Sequence, residues 1–199
     1  GKNAQELYEV CYTTLLSSIG EALDKKGYHR VHALGVETAA GAGLLVMPSG
    51  GGKSALASLL LKSETFRIDS DETPLVKGGM LYPFPIRVAL LPKVAEYLSI
   101  SEVGRPFHRK LFKMKLLYPI AASRVARPMK IRFLITGERS GMGTERGDSR
   151  IIHTSRFHCF GVLAKSMVLG LGIAQMAEHM IRADSGVNLS LIALERFVA

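Results

Sequence analysis

Six consecutive residues, Ser49-Gly50-Gly51-Gly52-Lys53-Ser54, have the types and spacing of a loop that binds the phosphates of a nucleoside triphosphate. Glycines let successive backbone N–H groups turn toward phosphate oxygens without Cβ clashes. Lys53 then supplies a point charge for the β- and γ-phosphates, and Ser54 a hydroxyl ligand for Mg²⁺. The full pattern, G-x-x-x-x-G-K-[ST], asks for glycine where this chain has Met47. A bare strand-to-helix turn is the plainer reading, and the Lys-Ser pair at the required spacing weighs against it. Further along, Asp69-Ser70-Asp71-Glu72 crowds carboxylates that repel one another unless a cation lies near. Mg²⁺ would relieve that repulsion, held by Ser54 with Asp71 or Glu72. A solvated acidic turn is the alternative.

The flanking elements decide between these readings. Arg30 to Thr38 and Gly43 to Met47 read as the strands of a hairpin joined by Ala39-Ala40-Gly41-Ala42, its second strand running into the glycine loop. Ser54 to Lys62 reads as a largely apolar helix packed on a sheet, and Phe66 to Asp69 as a short strand. Strand, glycine loop, helix and strand in that order frame a phosphate-binding α/β unit, and they set the acidic cluster beside the loop. Before them, Ala4 to Lys26 is expected to be an amphipathic helix, with Leu7, Val10, Leu15, Ile19 and Leu23 at helical spacing and Gly27 as its C-cap. After them, Pro74 to Val76 and Met80 to Tyr82 flank a Lys77-Gly78-Gly79 turn, and Met129 to Thr136 alternates as a strand. Gly137 to Arg150 reads as a basic, glycine-rich loop with Arg139, Arg146 and Arg150; Phe160 to Arg182 reads as helical, and Asn188 to Val198 as a helix or strand.

From Val31 to about Lys93 the chain resembles a known family. Val31-His32-Ala33-Leu34-Gly35-Val36-Glu37, Gly43-Leu44-Leu45, the glycine loop and Ser70-Asp71-Glu72 are similar, in order, to motifs of HPr kinase/phosphorylase-like proteins, whose fold is shared with phosphoenolpyruvate carboxykinases. The resemblance implies an α/β P-loop fold with a mixed sheet and flanking helices, and ATP with Mg²⁺ as cofactors. It implies Asp71 as catalytic base toward an acceptor hydroxyl, Glu72 as the second acid beside the metal, and a role for His32 near the nucleotide or acceptor. A buried core histidine is the other reading of His32. Tyr82-Pro83-Phe84-Pro85-Ile86-Arg87 is similar to the family's proline-rich segment, making Arg87 a candidate phosphate contact or an ordinary surface arginine. Glu145-Arg146-Gly147 lacks a residue of the bifunctional enzymes' Glu-x-Arg-Gly signature, so phosphorylase activity is not implied. The nearer resemblance is to short HPr-kinase-related proteins, including kinases that phosphorylate a serine of ribosomally made peptides such as lasso precursors.

Composition fits this picture. The 199 residues, 47% apolar, suit one domain, here residues 1–199: the N-terminal helix 4–26, a nucleotide-binding core of about 30–93, and a basic, helical part over 94–199. No run approaches a membrane span, and neither a secretion signal nor a disulfide framework is evident, which points to a cytoplasmic protein with reduced Cys11 and Cys159. Cys159 beside His158 is expected in a strand, where neighbouring side chains point to opposite faces. A net charge of +9 favours anionic partners, but sparse aromatics argue against nucleic acid. The expected partners are ATP and a protein or peptide phosphoacceptor, with no membrane; the apolar C-terminal helix could serve a homo-oligomer interface or the core. The expected function is phosphoryl transfer from ATP to a Ser or Thr hydroxyl, the alternatives being a nucleotide-dependent binding module or a small-molecule kinase.

Overall fold

A computed structural model describes residues 2–85, 87–107, 114–137 and 152–168. The fold is mixed α/β. In chain order the elements are α1 (Lys2–Lys25), β1 (His29–Val31), β2 (Leu34–Thr38), β3 (Gly41–Val46), α2 (Lys53–Leu61), β4 (Arg67–Ser70), β5 (Leu75–Lys77) and β6 (Met80–Tyr82). Then come β7 (Val88–Leu90), α3 (Pro92–Tyr97), β8 (Arg105–Phe107), β9 (Lys115–Tyr118), a 3₁₀ turn at Ala122–Arg124, β10 (Met129–Thr136), α4 (Arg156–Ser166) and β11 (Met167–Val168). An eight-stranded sheet runs β11-β1-β5-β6-β10-β3-β2-β4, and a three-stranded sheet runs β7-β9-β8.

The strand that feeds the glycine loop lies deep in the larger sheet. Every residue of β3 is buried; it pairs antiparallel with β2 and parallel with β10. Alternation along β3 splits the core in two. Ala42, Leu44 and Val46 pack with Val31, Ala33, Leu81 and Met167 beneath α4, while Leu45 packs with Leu34, Val36, Ile68, Val88 and Tyr118 against Ala57 of α2. Gly43 is forced to be glycine: a Cβ there would lie 1.9 Å from the Phe133 ring on β10. The C-terminal carbonyls of α2 have a cationic cap, since Arg124 donates to Leu61 O (3.0 Å) and to Ser63 O.

Four expectations change. The strand expected over Arg30 to Thr38 breaks at His32 and Ala33, because their N–H groups leave the ladder for Ser166 O (2.7 Å) and Glu72 O (3.2 Å). In α1, Leu7, Val10, Leu15 and Ile19 face outward. The packed side carries Ser17 and Gly20, small residues that admit Arg30 to its ion pair with Asp24 (2.8 Å, side chains 4% and 6% exposed). The part after residue 93 is not mainly helical where described: β8, β9 and β10 share it with α4, and β10 belongs to the same sheet as β3. The helix expected from Phe160 instead starts at Arg156, where Ser155 accepts from His158 N (3.2 Å), and gives way to β11 at Met167. Cys159 is therefore helical and half-buried. The loop after Gly137, with its three arginines, and everything expected beyond Val168 lie outside the described residues. No helix among the described residues is long and apolar enough to cross a membrane.

Candidate functional site

The glycine loop joins β3 to α2 and has the backbone that its glycines permit. Gly50 and Gly52 hold φ of 78° and 106°, in the left-handed region that L side chains resist, and a Cβ on either would enter open space. Gly51 is glycine for another reason: its Cβ would sit 2.9 Å from Pro48 O and 3.1 Å from Met47 Cβ. Gly52 caps α2 without a side-chain hydrogen bond, so no side chain competes for the N–H groups that open the helix. Met47 also finds its explanation. Its side chain lies against Gly137, where a Cβ would lie 3.1 Å from the methionine Cε. Gly137 N donates to Val46 O (2.9 Å), continuing the β3–β10 pairing. The side chain at position 47 is matched by a glycine just past the end of the adjacent strand β10.

Lys53 is buried and lies back across the base of the loop, its ammonium donating to Met47 O (2.6 Å) and Pro48 O (3.4 Å). Burial pushes its pKa down, the charges of Asp71 and Glu72 pull it back up, and Lys115 pushes it further down.

The acidic cluster separates into two environments. Ser70 ends β4, and its hydroxyl accepts from Thr73 N (3.0 Å) and Glu72 N (3.4 Å), a serine turn that swings the chain out of the strand. Asp69, still within the strand, faces away from α2: a Cβ on Gly35 would come within 2.8 Å of its own Cβ, 2.9 Å of Pro74 and 3.3 Å of Leu81. Both its oxygens are buried without partners, and burial, reinforced by Glu37, pushes its pKa up to about 7. Asp71, inside that turn, faces Ser54 of the loop. It is 1% exposed, and neither oxygen has a hydrogen-bond partner of full strength. Burial pushes its pKa up to about 6; the Ser54 hydroxyl, close enough to favour the charge, opposes this, Glu72 adds to it, and the Ala89 N–H and Lys115 reduce it. Glu72, at the surface, pairs loosely with Lys115 (3.8 Å).

Ser49 to Ser54 and Asp71 with Glu72 are thus brought together. His32 adjoins them through the backbone, half-buried at the β1–β2 break, next to Ala33, which bonds the Glu72 carbonyl. Arg87 has its guanidinium 4.2 Å from the Tyr12 ring centroid and 5.3 Å from that of Phe107, in an aromatic clamp that ties α1 to β8. Lys115 is the site residue that sequence reasoning missed. Its only signal was the excess of basic residues in the second half of the chain.

The donor set suits Mg²⁺. An ion of this kind takes one or two protein oxygens and completes its shell with phosphates and water. The Ser54 hydroxyl beside the unpartnered Asp71 carboxylate meets that need. Clusters of three or more His, Cys, Asp or Glu side chains fit to hold a metal are not found among the described residues. A scan against family models and searches of curated proteins and of solved structures found no match.

Proposed function

We propose that this protein is an ATP- and Mg²⁺-dependent kinase, of HPr-kinase and phosphoenolpyruvate-carboxykinase-like P-loop fold, that phosphorylates a Ser or Thr hydroxyl of a protein or peptide. The observation that carries the reading is Asp71, a buried, unpartnered carboxylate delivered by the turn after β4 to the Ser54 hydroxyl at the head of α2. Asp69 is buried as well, but only Asp71 meets the Ser54 hydroxyl, and its buried charge costs free energy until a cation or a proton meets it. The loop N–H groups and Lys53 hold the phosphates; the ammonium exchanges the carbonyls of Met47 and Pro48 for phosphate oxygens.

The proposed transfer uses the same residues. The acceptor oxygen forms its bond to the γ-phosphorus as the bond to the β,γ-bridging oxygen breaks, and ADP leaves with that electron pair. Asp71 takes the acceptor proton. Mg²⁺, held by Ser54 with Asp71 or Glu72, would spread the charge of the β- and γ-oxygens. ATP and reduced Cys11 and Cys159 both belong to the cytoplasm, where we place the protein.

Incubation with γ-labelled ATP, Mg²⁺ and a pool of serine-containing peptides tests the proposal. Acid-stable label on a peptide serine is the expected result. Tight ATP binding with no label moved would make the chain a nucleotide-dependent binding module, and label on a metabolite would make it a small-molecule kinase.

A further inference from the structure

We propose that Lys115 is a second phosphate-binding cation of the site and engages the γ-phosphate of bound ATP, an assignment that rests on the kinase reading above. Lys115 opens β9, the middle strand of the small sheet, and its neighbour Leu116 pairs with Leu90 of β7. That strand also carries Ala89, whose N–H faces Asp71. The small sheet thereby brings to the phosphate loop a residue from well outside the motif. The Lys115 ammonium lies 3.8 Å from Glu72, and its field reaches both Lys53 and Asp71. It sits among all three.

Two ammonium groups this close repel, and here two carboxylates offset them. Once those carboxylates face Mg²⁺, the ammoniums need another anion between them. A triphosphate supplies it. Lys53 sits at the base of the loop, whereas Lys115 lies on the side of Asp71 and Glu72, where the γ-phosphate must lie for Asp71 to reach the acceptor. Lys115 is also free to serve: its side chain is 29% exposed, and 3.8 Å exceeds a strong charge-assisted hydrogen bond. Lys53, by contrast, must first leave two loop carbonyls.

A cation on the γ-phosphate helps ATP bind and leaves ADP untouched. Equilibrium binding of Mg²⁺-ATP and Mg²⁺-ADP to the wild-type chain, Lys115→Met and Lys115→Arg tests this. Lys115→Met should weaken ATP roughly tenfold and ADP less than twofold, erasing a preference for ATP that Lys115→Arg retains. Equal weakening of both nucleotides, no weakening, or a wild-type chain without that preference would overturn the assignment to the γ-phosphate while leaving the kinase reading standing. A wild-type chain that binds neither nucleotide would overturn the kinase reading and this inference with it. Matched melting temperatures across the variants show that the comparison reads binding and not folding.

Discussion

Asp69 and Asp71 are two residues apart and have opposite surroundings, and the difference is a single turn. Asp69 is sealed against Pro74 and Leu81 on the sheet face away from α2, whereas the Ser70 turn carries Asp71 to the loop. Spacing alone brings Asp71 to notice, because a loop, a helix and a strand are local in sequence; the fate of Asp69 depends on Gly35 and Leu81 across the sheet and is not written nearby. Lys115 was hidden for the same reason, its place being set by the pairing of β9 with β7. Burial lifts Asp71 to a pKa of about 6, which gives the proposed base a pH signature. A base must be ionised to take the acceptor proton, so activity is lost as pH falls through that value. We expect kcat/KM, which reports the free enzyme, to fall about tenfold per pH unit below about pH 6 and to level off above it. A profile flat down to pH 4 would show that no group with this pKa is needed.

Among the elements, those around the glycine loop were legible because each is short, periodic and bounded by its own turn. The expected Ser54 to Lys62 helix is α2 within one residue, and Met129 to Thr136 is β10. Legibility failed where a distant partner decides the outcome. The break between β1 and β2 follows from Ser166 and Glu72 claiming two backbone donors, and the inward face of α1 follows from the needs of Arg30. The β3–β10 contact is a test at this scale, because two strands far apart in sequence meet there through a glycine and a ring. Gly43→Ala leaves the Phe133 ring no room, and overpacking of this severity costs on the order of 3 kcal/mol. Urea denaturation should show that loss; an unchanged midpoint would mean that the ring is not seated on Gly43.

For the whole molecule, the larger sheet gathers strands from both halves of the chain around one loop. Inside it β3, which feeds the loop, pairs with β10, and its edge strands are β11 and β4. Residues 30–93, where the motifs lie, supply β1 to β6 without β10 and β11 of that sheet. Gly137, just past β10, leaves room for the Met47 side chain. The small sheet brings β7 and β9 to the acidic side, so the site draws on both sheets and on the head of α2. The central claim is that this gathered site transfers phosphoryl groups with Asp71 as the base. Its most direct test is a paired measurement of ATP affinity and of transfer to a labelled serine peptide for the wild-type chain and Asp71→Asn, which keeps the shape of the side chain and removes its basicity. We expect the variant to bind ATP within a few-fold of wild type and to lose transfer by at least about a hundredfold. Transfer at the wild-type rate by Asp71→Asn would contradict the account.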